Sequence, residues 1–515
     1  MASRAQPLNP GGIAAAGLVL ALVLGTLGAV LWHADGFAAL GPADWAAVRF
    51  TVTQALVSAL VSLVLAVPVA RALARRRFPG RGILITLLGA PFILPVIVAV
   101  MGILAIFGRA GVLNDGLAAL GLGRVSIYGF EGVVLAHVFF NLPLAVRLLL
   151  QGWLAIPTER FRLAASLGLG PSEIMCLLER PMLRALAPGI FVTIFLICLT
   201  SFAVALTLGG GPKATTVELA IYQAFRFDFD PGRAATMATL QLMLCAAAIL
   251  LATRFAIPAA FGAGLDRPVA RWDAGARLLR LQDGLFLILA AGFLIAPLAA
   301  VVMAGLPGVA SLPASVWLAA LRSLAVAAGS TALALILALP LALAAVRGKL
   351  FELVGMLPIV ASSLVLGTGL FLILRPMASP ASLALPVTVV VNAAMALPFC
   401  LRALIPAARD LETGYGRLAQ SLGLRGRARL RYLTLPRLRR PLGFAGGLAA
   451  ALSMGDLGVI ALFADGETTT LPLQLYRLMG AYRMADAAAA AVLLLALSLL
   501  LFWAFDRGGR ADADA

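Results

Sequence analysis

Charged residues are scarce in this chain. Of its 515 residues, only 12% are Asp, Glu, Lys or Arg, whereas 62% are hydrophobic. Soluble domains contain about 25% charged and about 45–50% apolar residues, so this composition excludes a soluble globular protein and indicates a membrane protein. Twelve spanning helices of about 20 residues would occupy roughly half of the chain and leave the rest for loops.

Lysine, histidine and cysteine are also rare, and each shortage argues against a class of function. Neither Lys213 nor Lys349 lies in a GxxxxGK[ST] phosphate-binding loop, so we do not expect this chain to hydrolyse ATP. The two histidines are far apart and the four cysteines occur singly, which argues against metal centres and disulfides. We therefore expect no catalytic residue, no metal and no cofactor bound by this chain.

Apolar runs with little charge predict the membrane-spanning helices, because a spanning helix satisfies its own backbone and carries charge only at a cost. Arg147 interrupts the fourth run and Asp456 lies within the eleventh, yet both runs are long enough with their flanks. The first run is longer than a signal-peptide core and no cleavage site follows it, so we expect an uncleaved helix. The twelve runs lie near residues 12–32, 51–70, 83–107, 132–152, 185–208, 234–253, 284–305, 323–346, 353–374, 384–405, 441–463 and 487–505.

The excess positive charge is unevenly distributed along the chain. The formal net charge is +17, and with the N-terminus inside, 30 of the 40 Lys and Arg residues fall in inner segments. Basic residues concentrate in the cytoplasmic loops of membrane proteins, so both termini are predicted to be cytoplasmic. This distribution accounts for the basic composition without a nucleic-acid partner, and we expect none.

An internal repeat relates the two halves of the chain. Residues 162–169 read RLAASLGL and residues 417–424 read RLAQSLGL, identical at seven of eight positions. The same offset pairs Arg147 with Arg402, so we predict an all-α polytopic bundle of two homologous six-helix halves. The predicted boundaries are 1–50 for the tail, first helix and outer loop, 51–254 for the first transmembrane domain, 255–320 for the cytoplasmic linker and seventh helix, 321–506 for the second transmembrane domain, and 507–515 for the cytoplasmic tail.

Both copies of the repeat lie in an inner loop after the fourth span of their half. Each loop is expected to begin with a polar turn, at 157–159 and at 410–413, to form a short helix and to break at Gly168 or Gly423. A helix–turn–helix of this kind on the membrane face is suited to contact a cytoplasmic protein. A helix that only braces the bundle is the alternative, but two copies at equivalent positions favour a contact with a partner.

The spacing of small residues, glycine, an aliphatic residue and proline resembles the EAA loop of type I ABC importer permeases. In that family the loop forms the coupling helix that enters a groove of the ATPase subunit. The resemblance therefore implies two copies of a cytoplasmic ATPase, which uses ATP and Mg. Arg-Leu replaces the initial Glu-Ala of the family motif in both copies. The matching residues are Arg162, Leu163, Ala164, Gly168, Leu178 and Pro181 in the first copy, and Arg417, Leu418, Ala419, Gly423, Leu433 and Pro436 in the second.

The outer parts of both halves carry a second resemblance. Residues 200–235 and 453–487 are similar to thiamine ABC transporter permeases, which are fused two-half permeases related to ferric-iron permeases. This resemblance implies a multi-pass protein of the bacterial inner membrane that receives thiamine, or phosphorylated thiamine, from a periplasmic thiamine-binding protein. A ferric-iron permease is one alternative. An ion-coupled secondary transporter is another, but such proteins usually need several intramembrane acids, and Asp456 is nearly alone.

The outer segments are expected to form paired gates that also receive the binding protein. The glycines from Gly209 should end the fifth helix, and residues 215–225 should lie at the membrane surface with Tyr222 and Phe225 as interface anchors. Anchors without a gate role are the alternative.

Asp456 is the candidate partner for a cationic substrate, because an intramembrane carboxylate is a functional candidate by default and aromatic rings also attract cations. A local helix cap at Asp456 is the alternative. The residues predicted for the substrate path or outer gate are Ser201, Gly209, Gly210, Tyr222, Asp456 and Tyr476.

Overall fold

The computed structural model describes residues 10–37, 40–89, 93–209, 211, 214–252, 275–465 and 468–510. Within these ranges the chain consists of helices and connecting turns, with no β-strand. Eleven helical segments there are long and apolar enough to cross a membrane, or twelve when one pair bent by 84° is counted as a single span. The predicted all-α polytopic bundle is confirmed, and the chain is a multi-pass membrane protein.

The helices of the first half are α1 Pro10–His33, α2 Pro42–Arg75, α3 Arg81–Leu87, α4 Val96–Phe107, α5 Val112–Ala119, α6 Phe130–Ala155, α7 Thr158–Ser166, α8 Pro171–Ile174, α9 Arg180–Leu199, α10 Ala203–Leu208, α11 Val217–Arg226 and α12 Pro231–Ala252. Those of the second half are α13 Arg277–Gly305, α14 Ala314–Ala345, α15 Lys349–Met356, α16 Ser363–Leu374, α17 Ala384–Ser421, α18 Gly426–Arg429, α19 Leu435–Met454, α20 Gly458–Phe463, α21 Leu471–Gly480 and α22 Met484–Arg510.

Several spans differ from the sequence prediction in their continuity. The fourth is one helix, α6, that continues through Arg147. The third, expected over 83–107, is divided between α3 and α4, and the ninth is bent by 84° between α15 and α16. The fifth breaks at residues 200–202 and the eleventh at 455–457, where Thr, Ser, Gly and Asp interrupt the apolar run. Ser, Thr and Asp favour helix ends because their side chains form hydrogen bonds with nearby backbone groups. Gly favours them because its backbone loses more conformational entropy in a helix.

The two halves pack in the same way and exchange their first helices. In the first half α2 packs against α6 and α9, and in the second half α14 packs against α17 and α19. Helix α1 lies against α14 and α16 of the second half, whereas α13 lies against α2 and α4 of the first half. Each half therefore completes its apolar core with a helix from the other, so the bundle folds as one unit.

The predicted cytoplasmic linker belongs to the 255–320 region, and its residues up to 274 lie outside the described residues. Helix α13 begins after it, at Arg277. The domain boundaries given above remain predictions.

Candidate functional site

The two copies of the repeat form the same surface turn, each ending a helix at a glycine. The backbone φ angle is +67° at Gly168 and +66° at Gly423. The Leu169 amide donates to the Ala164 carbonyl at 3.0 Å, and the equivalent bond recurs 255 residues later at 2.9 Å. This is the Schellman arrangement, in which a left-handed residue, most readily glycine, satisfies the last helical carbonyls. The predicted break at each glycine is confirmed.

Each turn exposes two leucines that share a helix face. Leu163 is 61% exposed and Leu167 65%, while Leu418 is 54% exposed and Leu422 65%. Residues four apart lie side by side on a helix, so each pair forms one apolar projection. We call these two pairs the leucine knobs. The alanine next to the first leucine of each pair is buried and anchors the turn to the bundle.

The other residues of the motif also occupy equivalent environments in the two halves. The exposed members are Arg162, Gly168, Pro181, Arg417, Gly423 and Pro436, the half-buried members are Leu178 and Leu433, and the buried members are Ala164 and Ala419. One π-helical turn precedes each proline, at Met175–Glu179 and at Leu430–Thr434.

The expected polar turn at 410–413 is wrong. Helix α17 continues without a break from Ala384 to Ser421, whereas α6 and α7 are separated at Ile156 and Pro157. Proline disfavours helical backbone in the residue before it, and no proline lies in 410–413.

Ion pairs connect the C-terminal end of α2 to neighbouring elements. Arg71 Nε lies 2.7 Å from the carboxylate of Glu179, which is fully buried in the π-helical turn after the first leucine knob. Arg75 and Arg76 lie 2.5 and 2.6 Å from the two oxygens of Asp283 on α13. Thr434 occupies the position in the second half that is equivalent to Glu179. An ion pair equivalent to Arg71–Glu179 therefore cannot form in the second half.

On the opposite side of the bundle, α11 and α21 are related by the same pseudo-symmetry. The Val217 amide, at the start of α11, donates to Thr51 Oγ1 at 2.8 Å. The Leu471 amide, at the start of α21, donates to Ser323 Oγ at 2.7 Å. A hydroxyl on α2 therefore fixes the start of α11, and a hydroxyl on α14 fixes the start of α21.

Tyr222 and Tyr476 occupy the same position in α11 and α21, five residues after the first residue of each helix. Burial raises the pKa of both hydroxyls, and the nearby Tyr222 raises the pKa of Tyr476 further. The two predicted gate tyrosines therefore occupy equivalent, half-buried positions in the two halves.

Phe225 is buried and Tyr222 half-buried, so neither is an exposed interface anchor, and the position of residues 215–225 at the membrane surface stays a prediction. The Phe225 ring lies 4.8 Å from that of Phe371 on α16, and the Tyr222 ring lies 5.3 Å from that of Phe202. The apolar face of α11 therefore covers other helices and is not available to lipid. Gly209 follows the last residue of α10, as predicted, whereas Gly210 lies outside the described residues.

Asp456 does not lie inside a helix, contrary to the sequence interpretation. It occupies the break between α19 and α20, and Ser201 occupies the equivalent break between α9 and α10. One Asp456 oxygen accepts a hydrogen bond from the Gly458 amide at 3.3 Å, which agrees with the alternative of a local cap. The other oxygen is buried without a hydrogen-bond partner among the described residues.

Glu218 on α11 is a second buried carboxylate. It is 1% exposed, and neither oxygen makes a well-formed hydrogen bond to the described residues. Its polar neighbours are Gln241 and Ser362, the residue that caps α16 at the 84° bend. Ser363 lies beside Gly458, next to Asp456. The two acids, one from each half, therefore flank the start of α16.

Comparison with known proteins identifies the family. No family model matches the chain. The thiamine transport system permease protein ThiP of Escherichia coli K12 is 41% identical over 98% of this chain and 98% of its own length. The protein of the same name from Brucella abortus strain 2308 is 40% identical over 97% of this chain and 94% of its own length. The chain belongs to the thiamine transport system permease family.

A shorter permease matches only part of the chain. The molybdenum transport system permease protein ModB of Azotobacter vinelandii is 31% identical over 35% of this chain, which is 80% of its own length. A match of this length is what two fused permease halves would produce.

Sequence reasoning missed Glu218, although a signal for it exists. Tyr222 and Phe225 follow it by four and seven residues, so all three share one helix face. An acid on the aromatic face of an amphipathic segment is a candidate for a buried polar site. The Arg71 ion pair had no comparable local signal.

Proposed function

We propose that this chain is the membrane permease of a bacterial ABC importer that moves thiamine and its phosphates from the periplasm to the cytoplasm. The names of two relatives that are 40–41% identical to this chain, both thiamine transport system permease proteins, support the substrate. The observation that carries the energy-coupling part is the pair of leucine knobs, each exposed at a glycine turn and related by the repeat. An apolar projection that costs free energy in water is best explained by a groove that covers it.

The proposed partners follow from the two faces of the bundle. Two copies of a cytoplasmic ABC ATPase would dock on the leucine knobs, and ATP and Mg would bind there and not on this chain. A periplasmic thiamine-binding protein would dock over α11 and α21. The protein would lie in the inner membrane with both termini in the cytoplasm, and the permease itself would catalyse no reaction.

The transport cycle is a change between two arrangements of the halves. Closure of the ATPase pair on ATP would draw the leucine knobs together. The Arg71–Glu179 pair would transmit the movement of the first knob to α2, and α2 holds α11 through Thr51. The gate around Tyr222 and Tyr476 would then open outward, and ATP hydrolysis would reset it.

The buried acids suit a cationic substrate. Glu218 and Asp456 lie between the halves, and three of their four carboxylate oxygens lack a well-formed hydrogen bond to the described residues. A desolvated carboxylate costs free energy unless a positive group compensates it, and a thiazolium ring provides one. The rings of Tyr222 and Phe202 add faces that attract cations.

The decisive test is thiamine uptake by proteoliposomes that contain the permease, its ATPase and its binding protein. Leu163→Asp with Leu418→Asp should abolish uptake and the stimulation of ATPase activity, because a charge replaces an apolar contact. Leu120→Asp is the matched control, since Leu120 is 76% exposed in an outer segment. Uptake without any ATPase subunit would refute the coupling proposal. Tight binding of ferric iron, and not thiamine, by the partner binding protein would refute the substrate.

A further inference from the structure

A basic cleft opens between α14, α19 and α22, and Pro436 of the second repeat copy is among the residues that line it. It has a volume of about 1180 Å³, and none of the described residues that line it is an Asp or a Glu. Four of its lining residues are arginines, namely Arg431, Arg437, Arg439 and Arg440. A cavity with charge of one sign concentrates ligands of the opposite sign, so the cleft is suited to an anion.

The remainder of the cleft is apolar. Leu335 on α14, Leu442 on α19 and Phe505 on α22 also line the cleft. A small soluble anion would gain nothing from this surface. A molecule with a phosphate group and a hydrocarbon chain would use both the basic and the apolar lining of the cleft, because burial of its chain is favourable.

Neighbouring residues indicate that the cleft lies at the level of the lipid headgroups. Trp503 on α22 is 55% exposed, and the Arg507 guanidinium stacks 5.3 Å from its ring. Tryptophan concentrates at the boundary between hydrocarbon and water, and arginine extends from there towards the headgroups. Ala504 and Gly508, each next to one of these residues in the chain, line the cleft.

The surrounding structure holds two of the arginines in place. Arg439 Nε donates to the Gly508 carbonyl at 3.0 Å and joins α19 to α22. The Arg437 guanidinium lies 4.4 Å from the centre of the Tyr415 ring. Side chains that are already ordered lose less entropy when an anion binds.

The cluster of four arginines occurs only in the second half. At the repeat offset, Cys176, Met182 and Ala185 stand where the second half has Arg431, Arg437 and Arg440. Arg184 is the one position that keeps its arginine, opposite Arg439. A general preference for basic inner loops would place arginines at these positions in both halves. The cluster in the second half therefore needs a local explanation.

We propose that this cleft binds an anionic phospholipid. The headgroup phosphate lies against the arginines, and an acyl chain follows Leu335, Leu442 and Phe505. Binding there would secure the junction of α19 and α22 next to Pro436 of the second coupling loop. The proposal requires neither thiamine nor ATP, so it can be tested independently of the transport function.

Lipid titration of the purified full-length chain in detergent tests the proposal, with tryptophan fluorescence reporting the melting temperature. The probes are phosphatidylglycerol, phosphatidylcholine with the same acyl chains, and inorganic phosphate. Phosphatidylglycerol should raise the melting temperature saturably, and the other two probes should not. Equal shifts from both lipids, or a full shift from inorganic phosphate, would overturn the proposal in favour of general lipid solvation or a free-phosphate site.

Variants locate the effect in the cleft. The triple variant Arg431→Gln, Arg437→Gln and Arg440→Gln should weaken the apparent affinity for phosphatidylglycerol about a hundredfold, since each basic residue near an anionic surface contributes about fivefold. Arg184→Gln is the matched control and should titrate like the unaltered chain. A triple variant that titrates normally but no longer binds the ATPase would assign these arginines to a protein contact and overturn the proposal.

A second variant keeps every charge, in case the triple variant does not fold. Ala504→Trp fills the apolar part of the cleft from an exposed position. It should remove the stabilisation by phosphatidylglycerol, because the acyl chain has no place. Unchanged stabilisation in Ala504→Trp would contradict the proposed binding mode.

Discussion

Gly102 on α4 lies directly against the backbone of Pro297 on α13. A Cβ atom at Gly102 would be only 2.5 Å from the Pro297 carbonyl oxygen. Gly369 occupies the same position of α16, its seventh residue, and lies equally close to the backbone of Thr26 on α1. Each exchanged first helix therefore meets the other half at a close glycine contact.

Gly102→Ala and Gly369→Ala should each destabilise the bundle by about 1–3 kcal/mol, because the added methyl group forces two helix backbones apart. The measurement is the melting temperature of the purified chain. Gly292→Ala is the control, since a Cβ at Gly292 would have no neighbour within 4 Å. Equal melting temperatures for all three variants would show that the close approach has no energetic weight.

Substitutions at Gly168 and Gly423 should be tolerated only when the new residue can adopt a positive φ angle. Gly168→Asn and Gly423→Asn should retain thiamine-stimulated ATPase activity, because asparagine tolerates a positive φ. Gly168→Val and Gly423→Val should lose most of it, because a β-branched residue is strained there. ATPase assays of the reconstituted complex make the comparison. Activity that survives in the valine variants would mean that the turn geometry is not needed for coupling.

The buried Asp283, which pairs with arginine, should contribute more to the free energy of unfolding than an exposed acid that also pairs with arginine. Asp283→Asn removes the charge of the carboxylate that lies 2.5 Å from the almost fully buried Arg75, and breaking a buried pair costs about 3–5 kcal/mol. Glu352→Gln breaks the exposed pair with Arg409 and should cost less than about 1 kcal/mol. Thermal melting of both variants gives the difference. The reverse order would contradict the role of α2 as an anchored helix.

Neutralising the buried acids should impair transport without weakening the fold. Glu218→Gln and Asp456→Asn should each reduce thiamine uptake at low substrate concentration by about tenfold or more, since a hydrogen bond to a charged group contributes about 1.5–3 kcal/mol. Asp115→Asn, at an exposed acid of an outer segment, is the control.

The melting temperature separates this role from a structural one. Removing a buried charge whose oxygens mostly lack hydrogen bonds should leave the melting temperature unchanged or raise it. A lower melting temperature with unchanged uptake would assign both acids to the stability of the bundle.

Features that depend on neighbouring residues could be predicted from the chain alone. The spans appear as apolar runs because a helix of about 20 residues crosses the hydrocarbon layer. The turns at Gly168 and Gly423 are visible because glycine relieves a local strain. The error at 410–413 has a local cause too, since polar residues resemble a turn but do not end a helix as Pro157 does.

The all-α class, the approximate number of spans, the repeat that relates the two halves and the positions of the two glycine turns could be predicted from the sequence. The tertiary structure alone decided which helices cross between the halves, that Glu218 and Asp456 flank one helix start, that Arg71 meets Glu179, and that four arginines share a cleft. The physical reason is distance along the chain. Hydropathy and backbone strain act over a few residues, whereas buried charge and close packing depend on partners that only folding brings together.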